Sequence, residues 1–140
     1  MSRLEHNITI TKKQAAARQI QAAIFHAENS DFVCAITLAA AAEGVIQNPA
    51  KPFLLEQMKE RLSFNELDYN AVINWLKHSH GANEVVITDF EVAIVILRAI
   101  SKFSAAFGEV SEKMSDFRAF ALAHYEIRQP DAANTPSIGG

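Results

Sequence analysis

The sequence has a single cysteine, Cys34, in 140 residues, which excludes an intrachain disulfide and any cysteine-rich zinc motif. Cys34 is therefore expected as a small core side chain rather than a nucleophile. No apolar run approaches the roughly 20 residues that span a bilayer. The opening Met1–Asn7 lacks the charged-then-apolar order of a secretory signal, so a cytoplasmic protein without membrane partners is expected. Excess positive charge is also missing: 13 Lys plus Arg stand against 16 Asp plus Glu, a net charge of -3. That balance argues against a broad basic footprint for duplex nucleic acid. Sustained apolar alternation, the signature of strands, is absent. So are Gly-x-Ser-x-Gly, a phosphate-binding glycine loop and His-Glu-x-x-His, which removes support from the common hydrolase, nucleotide-triphosphatase and zinc-protease readings. No cofactor is expected.

What is present is the helical period, in a chain 49% hydrophobic, enough for one compact core. Thr11-Lys12-Lys13-Gln14 is a capping box that starts a helix over about 11–28, with Ala16, Ile20, Ala23 and Ile24 on its inner line. Asn29-Ser30-Asp31 breaks it and caps a second helix running to about Gln47, where Asn48-Pro49 stops the chain. This short turn implies an antiparallel pair. A shorter helix is expected from Pro52 to about Leu62, then one through Glu66 to His78, ended by Gly81. Val85-Val86-Ile87 is the one β-prone run and is too short and isolated to make a sheet. A second capping box, Thr88-Asp89-Phe90-Glu91, launches a helix to about Ala106, and a last helix covers about Ser111–His124. The expected architecture is an all-α, antiparallel up-and-down bundle of four to six helices. Residues 1–126 form its single domain, and 127–140 read as a disordered tail.

Three features stand out for function. The helix over 88–106 carries only a thin polar line of Glu91, Arg98 and Lys102, so it is either the centre of the bundle or a face shared with a second subunit. Glu43, in a helix of small residues, falls on a wheel among Phe32, Ile36 and Ala39. A carboxylate there needs a partner or an exit to water; Asn74, Lys77 and His78 are the expected donors. Finally, Glu66, Asn70, Asn74, Lys77 and His78 form one stripe opposite an arc of Ala71, Val72, Ile73, Trp75 and Leu76. The stripe reads as a solvated face, or as a site in which Asn74 orients a phosphate or hydroxyl, Lys77 supplies charge and His78 moves a proton. Asn70, Lys77 and Glu43 are then the candidate ligand-binding residues, and His78 and Asn74 the catalytic ones.

His78-Ser79-His80 followed by Asp89 lacks a third ligand at diagnostic spacing, so no metal is expected. His26 and His124 close their helices, where an imidazolium complements the helix dipole.

The order of helix, short turn, small-residue helix with Leu38-Ala39-Ala40-Ala41-Ala42-Glu43, then Asn74-Trp75-Leu76-Lys77-His78 before another helix resembles the HEPN (higher eukaryote and prokaryote nucleotide-binding) superfamily over roughly residues 11–124. The resemblance implies an antiparallel helical bundle that forms a homodimer. Active members are metal-independent ribonucleases with an arginine, often followed by a polar residue, a few positions before a histidine. Asn74 and His78 match the polar and histidine positions, whereas Ile73 stands where the arginine is expected. An isoleucine cannot clamp a phosphate, and Lys77 offers a point charge without a bidentate fork. The expected function is thus a noncatalytic, dimeric binding or regulatory module whose partner is RNA, a nucleotide or a protein. The alternative is a metal-independent ribonuclease using His78 with Asn74 and Lys77.

Overall fold

The computed structural model describes residues 6–46 and 66–126. The helix expected over 52–62, the stop at Asn48-Pro49 and the tail at 127–140 lie outside the described residues. Within them the protein is all-helical, with no strand: α1 is Lys12–Glu28, α2 Phe32–Val45, α3 Glu66–Lys77, α4 Asp89–Phe107 and α5 Glu112–His124. No helix among the described residues is long and apolar enough to cross a membrane.

Local chemistry sets most helix ends. Thr11 Oγ1 accepts from the Gln14 amide at 3.0 Å and Gln14 Oε1 accepts from the Thr11 amide at 3.0 Å, so both orphan donors are satisfied reciprocally. Thr88 and Glu91 repeat the arrangement at 3.1 and 2.9 Å. Asp31 and Ser111 cap α2 and α5 through the amides of Cys34 and Met114. Gly108, at φ 71°, ends α4 in the left-handed conformation that glycine adopts without a Cβ clash. Val85-Val86-Ile87 is a connector in which Val86 is exposed and Ile87 packs on the core.

α4 is the centre of the bundle. Val92, Ala93, Ile94, Val95, Ile96 and Leu97 are all buried, and six successive residues at 3.6 per turn sweep every side of a helix. α1, α2 and α5 all lie against α4. Its all-round apolarity is therefore used within one chain, which decides between the two readings left open by the sequence. α1 meets this core through Ala16, Ile20, Ala23 and Ile24, the expected line. α2 adds Ile36 together with Ala35, Ala39 and Ala42, three small side chains that leave room for α1 and α4 against it. α3 packs against α2 and contributes Val72 and Ile73.

The end of α5 is tied to the start of α4. Tyr125 donates its hydroxyl to Asp89 Oδ2 at 2.9 Å and meets the Phe90 ring edge to face at 5.3 Å. Burial, then the hydrogen bond to Asp89 and that carboxylate's charge, push the phenol up to about 12. Because the folded chain holds this proton more tightly than the unfolded chain, the contribution is complete below the ordinary phenol value of about 10 and is lost as pH rises toward 12. Tyr125→Phe is expected to flatten the decline of the urea midpoint between these pH values and to remove a tyrosinate step near pH 12 from an absorbance titration. An unchanged titration would detach Tyr125 from this clasp.

Candidate functional site

The polar stripe of α3 opens to water at its C-terminal end, and the Glu66 side chain lies outside those described. Asn70 is half-buried; Asn74, Lys77 and His78 are exposed. On the opposite arc Val72 and Ile73 are buried and Trp75 and Leu76 partly so, whereas Ala71 is exposed and departs from the expected arc. Trp75 is fixed by its indole N–H, which donates to the Ala82 carbonyl at 2.6 Å. This bond folds the chain after α3 back over the ring, and Gly81 makes the bend at φ 109°. Past the helix end, His78 and His80 stack in parallel with ring centroids 5.6 Å apart. Asp89, considered with them as a ligand, is occupied by Tyr125.

Glu43 is not joined to this stripe. Its Oε1 lies 3.2 Å from Arg98 Nη2, and the two side chains are only 18% and 9% exposed. The expectation that Asn74, Lys77 or His78 would hold the carboxylate is corrected by packing: α4 runs along α2 and brings its own polar line to Glu43. Lys102, one turn after Arg98, donates to the Glu43 backbone carbonyl at 2.7 Å. That carbonyl is in the last turn of α2, where helix carbonyls have no intrahelical donor, and α2 has no basic residue in that turn. α4 thus supplies both the counter-ion of Glu43 and a cationic cap for α2. Arg98 Nε and Nη1 are buried without a hydrogen-bond partner among the described residues, which leaves the guanidinium more dependent on its one carboxylate contact.

A second cluster went unread in the sequence. At the turn between α1 and α2, His26, Asp31 and Cys34 place one nitrogen, oxygen or sulfur atom each within 4.8 Å of the others. His26 Nδ1 is 3.6 Å from Asp31 Oδ2, and Asp31 Oδ1 accepts from the Cys34 amide at 3.3 Å. Hydrogen bonding to Asp31, the loss of solvent around the sulfur and the carboxylate's charge raise the Cys34 thiol above its ordinary value. Cys34 is half-buried rather than a full core residue, because N-terminal placement in α2 leaves it at the helix end beside Asp31. Its signal in the sequence is a His-x4-Asp-x2-Cys spacing across a helix-turn-helix.

Two clefts meet at Phe117 and Phe120 of α5. One, of about 330 Å³, is lined by Phe32, Asp89, His124 and Tyr125 among others; the other, of about 600 Å³, by Ile24, Glu28, Lys113 and Asp116. Glu43, Asn70, Asn74, Lys77 and His78 line neither cleft. No family model matches this chain, and no curated protein or solved structure does.

Removing Glu43 leaves a buried guanidinium without its carboxylate. Glu43→Ala is expected to destabilise the fold by about 3–5 kcal/mol in urea denaturation, while Glu43→Leu combined with Arg98→Met recovers more than half of the loss. A cost under ~1 kcal/mol would class the contact with exposed ion pairs.

Proposed function

We propose that this chain is a noncatalytic, HEPN-like binding or regulatory module that acts as a homodimer. The observation that carries the proposal is Ile73, which occupies the expected arginine position and is 8% exposed in the hydrophobic core. A guanidinium at that position would enter the hydrophobic core instead of facing a phosphate, at the desolvation cost of a buried charge. Asn74, Lys77 and His78 keep the polar half of the motif on an open surface. Water competes there for every contact, and an exposed lysine is a weak substitute for a bidentate clamp.

The dimer is supported by large apolar side chains outside the α4 core. Phe25 on α1 and Phe120 on α5 are 57% and 55% exposed, and Phe120 lies where the two clefts meet. Aromatic side chains in such a setting are favoured anchors for a protein surface. The net charge of -3 agrees better with a protein partner, here a second copy, than with a polyanion.

Both halves are tested with one preparation. Light scattering at micromolar concentration is expected to give a dimer that Phe120→Glu converts to monomer. RNA turnover by the natural protein is expected to equal that of His78→Ala. General acid and base catalysis supplies ~10² to 10⁴-fold, and loss of one strong transition-state donor removes ~10² to 10³-fold, so the histidine alone leaves little net rate. Robust cleavage abolished by His78→Ala would overturn the noncatalytic reading in favour of a ribonuclease using His78, Asn74 and Lys77. A monodisperse monomer would overturn the dimer.

A further inference from the structure

We propose that His26, Asp31 and Cys34 form a three-ligand zinc site that clasps the α1–α2 turn, independently of the α3 stripe and of any dimer. Imidazole nitrogen, carboxylate oxygen and thiolate sulfur are the three donor types zinc accepts, and three protein ligands leave the fourth tetrahedral position to water.

The geometry is close to what the ion needs. Bonds of about 2.0–2.3 Å set tetrahedral ligand atoms about 3.3–3.8 Å apart. The three donor atoms already lie within 4.8 Å of one another, so closure takes rotation of side chains without refolding. The His26 Nδ1 to Asp31 Oδ2 separation of 3.6 Å is long for a nitrogen–oxygen hydrogen bond but suits two ligands on one ion. Asp31 divides its carboxylate: Oδ1 caps α2 through the Cys34 amide, and Oδ2 turns toward His26. The cap can therefore persist while Oδ2 ligates.

The backbone that carries these side chains is held from both ends. The Asp31 amide donates to the His26 carbonyl at 2.8 Å and the Ser30 amide to the Ala27 carbonyl at 3.0 Å. Asn29 Nδ2 donates to the Phe25 carbonyl at 2.8 Å, and Ser30 takes the left-handed conformation at φ 63°. A turn fixed in this way lowers the ordering cost of assembling ligands from two helices. His26 and Asp31 are 32% and 46% exposed at the side chain, which gives the ion an entry path and the fourth position access to water. On binding, the Cys34 thiol proton leaves to solvent and the sulfur–zinc bond forms; no oxidation or reduction is involved.

Metal-free full-length protein titrated with Zn²⁺ in a calorimeter is expected to bind one equivalent with a dissociation constant below about 10 µM. Co²⁺ as a spectroscopic probe is expected to show a thiolate-to-metal charge-transfer band that Cys34→Ser abolishes. Asp31→Asn retains a good N-cap but removes the carboxylate, and with His26→Gln it is expected to weaken Zn²⁺ by at least the ~10–100-fold typical of losing even an outer metal partner. Far-UV circular dichroism of the metal-free variants checks that the helices remain. The assignment is overturned by no saturable Zn²⁺ binding in this range. It is also overturned by binding that survives Cys34→Ser and Asp31→Asn, or by binding that is lost in His78→Ala with His80→Ala while the three cluster variants bind normally.

Discussion

Burial of α4 on every side is the constraint from which the rest of the bundle follows. A helix with six consecutive buried residues needs neighbours all round, and α1, α2 and α5 provide them. Any polar side chain on such a helix must find its partner within the protein. Arg98 and Lys102, one turn apart, both find theirs on Glu43: the guanidinium takes the carboxylate and the ammonium takes the backbone carbonyl. These two cationic side chains of the core helix thereby favour one register of α4 along α2. An unpaired guanidinium in that position costs far more than an exposed one, so sliding either helix by a turn is disfavoured by charge as well as by shape.

The opposite regime holds at the helix ends, where side chains act on backbone groups three or four residues away. Thr11 with Gln14 and Thr88 with Glu91 close their own capping boxes. The turn after α1 combines such local bonds with a tertiary consequence. Once Asn29, Ser30 and Asp31 have reversed the chain, the last turn of α1 and the first turn of α2 are adjacent, and His26, Asp31 and Cys34 come together. Asp31 alone belongs to both the cap and the cluster, meeting the Cys34 amide through one oxygen and His26 through the other.

α3 is anchored differently from the others. Val72 and Ile73 enter the core, Trp75 is pinned by the Ala82 carbonyl, and Asn74 and Lys77 face out. A helix with one apolar arc on α2 and one wet stripe satisfies the hydrophobic effect without any requirement for a site. Ile73 falls on the buried arc, and His78 lies just past the helix end.

The sequence by itself determined the described helices, the capping boxes at Thr11 and Thr88, the Asp31 cap and the inner line of α1, because each depends on spacings of three or four residues within one element. It also marked Glu43 and the α4 polar line as anomalies, since a charge on an apolar face is visible on a wheel. Only the tertiary structure decided that these anomalies answer each other. Glu43 and Arg98 are 55 positions apart, and no local period encodes which helix packs on which. The same limit hid the meeting of His26 with Asp31 and Cys34: each residue had a satisfactory local role, and their proximity arises only when the turn folds two helix ends together.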